Sequence, residues 1–444
     1  MGFAGLLLVI LMARPFDVIL VGLHIPLVVC GAAILAVGFT GGLRGLNTRT
    51  GRLISAYVVW MLLVSPFGMW KGGSVQYVKS YVLLLVVLFL ALAEAPKNLT
   101  AAKKLLQILG GSVTLAVIVF AAMGKGRADP NAADAYRSGG VGMFGNEGEF
   151  ALLIGFVLPF WVFTASTIKN KALRLTLSGG GSLYLFWLLV NTGTRSAFLA
   201  MIPVCILLLA RLTMAQRVAL IGTAVLFCVG IIGAAPQKVL DRLATLSAPE
   251  DDSGDLRGAA RTSEAAASAA ERKQLFRDAL ETMIRNPVFG VGPGNFADYR
   301  YNVLGKEGIR KTWFPAHDTY MQIGAESGFP GALLYMAMVL SVFVTLYAVR
   351  KRIRKGDPES ELLSRMTLCL QSALLFYAVM SAFQNCDKYP HFFVIAGLAA
   401  ALDRLTKAPV SATESVPMPT RTAAAFGPSR RLPVAAQRPA GAMK

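Results

Sequence analysis

Residues 74–93 read Ser74-Val75-Gln76-Tyr77-Val78-Lys79-Ser80-Tyr81-Val82-Leu83-Leu84-Leu85-Val86-Val87-Leu88-Phe89-Leu90-Ala91-Leu92-Ala93, and no charged side chain interrupts the run after Lys79. About 20 helical residues at ~1.5 Å rise cross the ~30 Å hydrocarbon layer of a bilayer. Water is absent there, so a spanning segment must satisfy its own backbone polar groups, which favours a helix. Strict apolar/polar alternation of the barrel kind is missing. Working outward, comparable runs fall at residues 3–22, 25–40, 53–69, 105–123, 148–167, 174–191, 196–210, 218–235, 328–349, 362–383 and 390–403. The pattern predicts an all-α polytopic membrane protein of about 12 transmembrane helices (10–12). Arg14, Pro15 and Asp17 interrupt the first run, which leaves a broken or re-entrant element as the alternative there. With 55% hydrophobic and 16% charged residues, the chain is too apolar for a soluble enzyme.

The net charge of +19 is not the footprint of a nucleic-acid partner, because the cations sit mainly in short segments between apolar runs. One set of loops carries Arg44, Arg49, Arg52, Lys97, Lys103, Lys104, Lys169, Lys171, Arg174, Arg211, Arg217 and the cluster from Arg350 to Lys355, sixteen cations in all. The alternating set carries six: Lys71, Lys125, Arg127, Arg137, Arg195 and Lys388. The positive-inside rule puts the first set and both termini in the cytoplasm. Loops 124–147 and 236–316 then face outward. The expected divisions are 1–235 (N-terminal spans), 236–327 (large outer loop with short helices), 328–403 (C-terminal spans) and 404–444. That last segment, rich in Ala, Pro, Ser, Thr and Arg, is expected to form a disordered cytoplasmic tail. The N-terminal run lacks an A-x-A-like cleavage site and reads as a first span. The five cysteines form no disulfide framework, and no His/Cys/carboxylate cluster has metal-ligand spacing, so no cofactor and no metal is expected.

The outer loop holds the chemistry-bearing residues. From about Thr262 its pattern is helical, with Leu275, Ala279 and Met283 on one stripe and Arg272, Lys273 and Arg277 nearby. Asn286-Pro287 ends that helix, because proline pushes the preceding residue out of the α region. The segment Phe289-Gly290-Val291-Gly292-Pro293-Gly294-Asn295-Phe296 lacks the context of a phosphate loop or dinucleotide site and reads as a tight turn holding two helices together. Pro315 suits a helix start, Gly328 its stop, and Pro330-Gly331 the opening of the next span. By itself His317 reads as an interfacial polar residue. Arg195, between two spans at the outer edge, is expensive there unless it is paired, faces water, or snorkels. Its planar fork also matches a diphosphate.

Taken together, these residues resemble the O-antigen ligase and polymerase family of bacterial envelope glycosyltransferases. Arg195-Ser196-Ala197-Phe198-Leu199 fits an R-x-x-x-L element. The stretch Arg285 to Phe296 looks like the family's glycine-rich outer-loop segment. His317-Asp318 followed by Gly328-Phe329-Pro330-Gly331 fits H-[NSQ]-x9-G-x-x-G, with Asp318 where Asn, Ser or Gln is usual. The resemblance implies a GT-C-like inner-membrane enzyme with a periplasmic site. It implies glycan transfer from undecaprenyl diphosphate to a lipid A-core or other envelope acceptor, inverting and metal-independent, as in lipopolysaccharide or exopolysaccharide synthesis. On that reading Arg195 binds the diphosphate and His317 takes the acceptor proton. From its spacing on the loop helix, and not from the resemblance, Arg272 or Arg277 is expected to supply a second cation. Glu326 either orients His317 or an acceptor, or is a helix-end carboxylate facing water. A polymerase adding the chain to the next lipid-linked repeat shares these motifs. A polysaccharide transporter or flippase is the reading from another class, with Lys79 and Arg14 as its mid-membrane charges.

Overall fold

The computed structural model describes residues 2–13, 28–34, 42–124, 146–211, 214, 217–218, 222, 256–307, 313–353 and 359–407. Among them there is helix and no strand. The main elements are α1 (Gly2–Leu8), α2 (Arg49–Val64), α3 (Lys71–Glu94, with a π-helical stretch at Tyr81–Val86) and α4 (Leu99–Gly124). They continue with α5 (Glu147–Ser166), α6 (Lys171–Asn191), α7 (Arg195–Arg211), α8 (Leu256–Arg285) and α9 (Phe296–Asn302). The last described elements are α10 (Thr319–Lys351), α11 (Ser360–Met380) and α12 (His391–Lys407).

Seven helices are long and apolar enough to cross a membrane among the described residues: Arg49–Phe67, Lys71–Glu94, Leu99–Met123, Glu147–Ser166, Lys171–Asn191, Thr319–Lys351 and Ser360–Met380. Each overlays an expected span. Two further expected spans appear as the 17-residue helices α7 and α12. The expected spans at 25–40 and 218–235 lie largely outside the described residues, as do loop residues 125–145, Arg14 and the segment 408–444. The last helix runs to Lys407, four residues past the expected end of the C-terminal spans, because Leu402 is buried while Asp403, Arg404 and Lys407 find ionic partners.

Helix α10 is the hub. It packs against α2, α11, α12 and the loop helix α8, while α5 packs against α4, α6 and α11. Where helices press closest, a side chain is missing. A Cβ on Gly155 of α5 would lie 1.9 Å from the Phe376 ring of α11, and one on Gly397 of α12 would lie 2.8 Å from the Phe89 carbonyl of α3. Small residues at such crossings let membrane helices gain packing where no hydrophobic drive between them exists. Hydrogen bonds add specificity. Thr50 Oγ1 and Ser341 Oγ are 2.8 Å apart between α2 and α10, and Tyr335 and Tyr377 hydroxyls are 2.8 Å apart between α10 and α11.

The loop helix α8 starts at Leu256, ahead of the expected Thr262, and ends at Arg285, before Asn286-Pro287 as the proline requires. Its stripe is buried: Leu275 is 1%, Ala279 0% and Met283 5% exposed. A charge lies in that stripe. Asp278 Oδ2 is 2.6 Å from Arg300 Nε of α9, both side chains essentially inaccessible, and Gln274 Nε2 donates to Asp278 Oδ1 at 2.7 Å. This buried pair ties α9 to α8, with two donors on one carboxylate meeting its desolvation.

Candidate functional site

Helix α10 does not start at Pro315. Its N-cap is Asp318, whose Oδ1 accepts from the Tyr320 N–H at 2.9 Å and the Met321 N–H at 3.0 Å. That capping satisfies two of the four orphan N–H groups of a first turn. Asn and Ser cap by the same acceptor geometry, so Asp318 serves this helix start as either of them would. The residue before the cap, His317, has φ 54°, and among the described residues it is the non-glycine residue with positive φ. A left-handed residue at a helix start is held there by its neighbours. Ala316 N–H donates to Gln322 Oε1 at 3.0 Å, and Thr319 N–H donates to the Ser381 carbonyl at 2.7 Å. Thr319 Oγ1 donates to the Gln384 carbonyl at 2.6 Å and accepts from the Cys386 N–H at 2.8 Å.

His317 is partly buried beside α8, within electrostatic reach of Arg272 and Glu271. Burial holds its imidazole below the ordinary 6.5, the Arg272 charge lowers it further, and Glu271 acts in the opposite direction. Burial and Arg272 thus favour the neutral imidazole, the form that can accept a proton. Arg272 thus lies within electrostatic reach of His317. Arg272 and Arg277 are both exposed, but at ~100° per residue Arg277 lies roughly 140° around α8 from Arg272, away from the buried stripe.

Glu326 does not face water. It is 3% exposed, and its carboxylate accepts from the Gly294 N–H at 2.7 Å, the Phe296 N–H at 3.4 Å and Gln322 Nε2 at 3.0 Å. It clamps the glycine turn onto α10. Backbone bonds complete the clamp: Val291 N–H to the Ala325 carbonyl (2.9 Å), Gly292 N–H to Glu326 (2.9 Å) and Phe329 N–H to Pro287 (2.8 Å). Two glycines interlock here. A Cβ on Gly290 (φ +64°) would lie 2.3 Å from the Glu326 carbonyl carbon, and one on Gly328 (φ +71°) 2.2 Å from the Val288 carbonyl oxygen. The turn does hold two helices together, as expected, and Gly328 kinks α10 where the short helix was expected to stop. The ring of Phe289 stacks on Phe67 at 4.4 Å, and Trp60 Nε1 donates to the Ser327 carbonyl at 2.8 Å, so α2 joins the same assembly.

Arg195 is the first residue of α7 and is partly buried. The preceding Thr194 Oγ1 donates to the Glu147 carbonyl of α5 at 3.3 Å. The next residue of α5, Gly148, lies against the side chain of Gln384, whose carbonyl takes the Thr319 hydroxyl. Arg195 and His317 therefore sit at the same end of the helix bundle, joined through α5 and the 381–386 segment. Gln322, which links the Ala316 backbone beside His317 to Glu326, was not among the expected site residues. The signal was present: 318, 322 and 326 are spaced by four and share one helix face. Among the described residues no cluster of three His, Cys, Asp or Glu side chains is placed to hold a metal ion. Of the charges a transporter reading invokes, Lys79 is exposed on α3.

A family model described as O-antigen ligase matches residues 180–336, about a third of the chain, from the second half of α6 to the first half of α10. Arg195, the glycine turn, His317 and Gly328 all fall inside that match. The resemblance drawn from those motifs is borne out, and it supports a membrane enzyme of the O-antigen ligase and polymerase type. No curated protein matches the chain.

Proposed function

We propose, from the O-antigen ligase match over residues 180–336, that this chain transfers a glycan from undecaprenyl diphosphate to a lipid A-core or other envelope acceptor. The observation that carries the proposal is the setting of His317: at positive φ between Ala316 and Thr319, which make four hydrogen bonds to Gln322, Ser381, Gln384 and Cys386, with Arg272 within electrostatic reach and Arg195 at the same bundle end. The acceptor hydroxyl oxygen forms a bond to the anomeric carbon as the bond from that carbon to the diphosphate oxygen breaks, with inversion. The hydroxyl proton goes to the His317 imidazole. Arg195 binds the diphosphate and stabilises the charge that develops as it leaves. Arg272, rather than Arg277, supplies the second cation and adds to burial in disfavouring protonation of His317. Glu326 acts through the glycine turn, orienting the loop beside the site.

On this reading the site faces the periplasm of the bacterial inner membrane, and both termini are cytoplasmic, in line with the distribution of loop cations. The polymerase reading uses the same donor chemistry and differs only in the acceptor. A deletion strain distinguishes them by its surface glycans and lipid-linked intermediates. Bare acceptor with long chains accumulating on the lipid carrier supports the ligase. Acceptor bearing at most one repeat, with no long chains, replaces it with the polymerase. An unaltered profile in a strain without a redundant enzyme removes both.

A further inference from the structure

At the end of the bundle opposite His317, the N-terminus of α2 and the C-terminal ends of α10 and α12 surround a cavity of roughly 650 Å³. Six cations line it: Arg44, Arg49, Arg52, Arg352, Arg404 and Lys407. Two carboxylates, Glu94 and Asp403, face them, and both are already engaged. Asp403 takes Arg352 and Lys407, each at 2.7 Å. Glu94 lies 3.9 Å from Arg404, whose Nη2 donates to the Ala93, Glu94 and Pro96 carbonyls at 3.0, 3.3 and 2.7 Å. Arg44, Arg49 and Arg52 make no ion pair with any described residue. The floor is apolar, formed by Ala93, Val344, Ala348 and Ala400. Thr48 caps α2 through Gly51 N–H, so the positive end of that 16-residue helix lies in the same wall.

We propose that this cavity is a binding site for a phosphate-bearing anion, either the headgroup of an anionic membrane lipid or free phosphate. Positive-inside anchoring explains cations scattered along a membrane edge, but not their convergence from four elements on one concave space. Three guanidinium forks with no ion pair among the described residues, beside a helix N-terminus, supply the donors a phosphate takes. An apolar floor below the cations accommodates the glycerol and first methylenes of a lipid, as basic pockets between membrane helices do. The inference concerns the other end of the molecule from His317 and does not depend on the proposed transfer reaction.

The test uses the full-length protein and two probes. Spin-labelled phosphatidylglycerol in phosphatidylcholine vesicles reports lipid association. Inorganic phosphate titrated calorimetrically onto the detergent-solubilised protein reports the free anion. Arg49→Gln/Arg52→Gln is compared with Lys103→Gln/Lys104→Gln, a pair near the same bundle end but outside the cavity. Circular dichroism and gel filtration confirm the fold of both. The expected result is saturable binding of at least one probe, weakened by about tenfold or more in the arginine pair and by less than about twofold in the lysine pair. Binding of lipid alone identifies a headgroup site, and binding of phosphate alone or of both identifies the phosphate as sufficient. No saturable binding of either probe overturns the proposal. So does an equal loss in both pairs, which would mean diffuse surface charge, or no loss in the arginine pair.

Discussion

Replacing Gly328 by alanine tests the interlock between α10 and the glycine turn. Gly328 has φ 71° and ψ −178°, a conformation nearly restricted to glycine, and an alanine there costs about 1–3 kcal/mol in backbone strain alone. Its Cβ would also lie 2.2 Å from the Val288 carbonyl oxygen, 2.5 Å from its carbon and 2.7 Å from the Pro287 oxygen. These are backbone atoms, pinned by the Phe329 N–H to Pro287 bond at 2.8 Å, so they cannot rotate away as a side chain does. Overpacking of this kind adds about 1–3 kcal/mol, giving about 2–6 kcal/mol in all. Gly111 in α4 is the control, because a Cβ there meets nothing within 4 Å. Gly111→Ala is expected to be neutral or stabilising by up to about 1 kcal/mol. Unfolding by titration with sodium dodecyl sulfate in mixed micelles measures both variants against the native protein. If Gly328→Ala unfolds at the native midpoint while Gly111→Ala behaves as expected, the reasoning from this kink is wrong.

Transfer activity is expected to hold steady above pH 6.5 and to fall only as pH drops through the lowered pKa of His317, where the base becomes protonated. Arg272→Gln removes a charge that holds that pKa down, so the falling limb of the pH–rate profile moves toward higher pH; a limb that stays put or moves lower contradicts the assignment. The same shift affects stability: the unfolded chain protonates His317 before the folded one does, so its contribution is fully present above about 6.5 and erodes as pH falls below it. Asp318→Asn keeps the helix cap and should change stability by only a few tenths of a kcal/mol, whereas Asp318→Ala should cost about 0.5–2 kcal/mol in the same unfolding titration. Arg300→Met leaves Asp278 buried and unpaired and should cost about 3–5 kcal/mol, most of it recovered in Arg300→Met/Asp278→Leu.

The helices were legible because a bilayer demands long apolar runs, and each run that the structure describes became a helix at its expected place. The break at Asn286-Pro287 and the kink at Gly328 were legible for local reasons, a proline's ring and a glycine's missing Cβ. What links residues far apart in the chain was not. Nothing local says that Gly290 packs on Glu326, or that Glu326 faces the turn rather than water, since that depends on α8 folding back onto α10. The Asp278–Arg300 pair was hidden for the same reason, although a carboxylate between Leu275 and Ala279 on a buried stripe was the clue. At the site, His317, Arg195 and Arg272 were readable as residue types in a pattern. The positive φ of His317 and the anchoring of Thr319 were not, because Thr319 is held by Ser381, Gln384 and Cys386, more than sixty residues along the chain.

The central claim is tested most directly by glycan transfer in proteoliposomes from an undecaprenyl-diphosphate-linked donor to its glycolipid acceptor, comparing the native protein with His317→Ala and Arg195→Ala. Loss of a general base should lower the rate by about 10²–10⁴-fold in His317→Ala, and loss of a charge-stabilising donor by about 10²–10³-fold in Arg195→Ala, with both variants still folded. Transfer at the native rate in both folded variants would contradict the account.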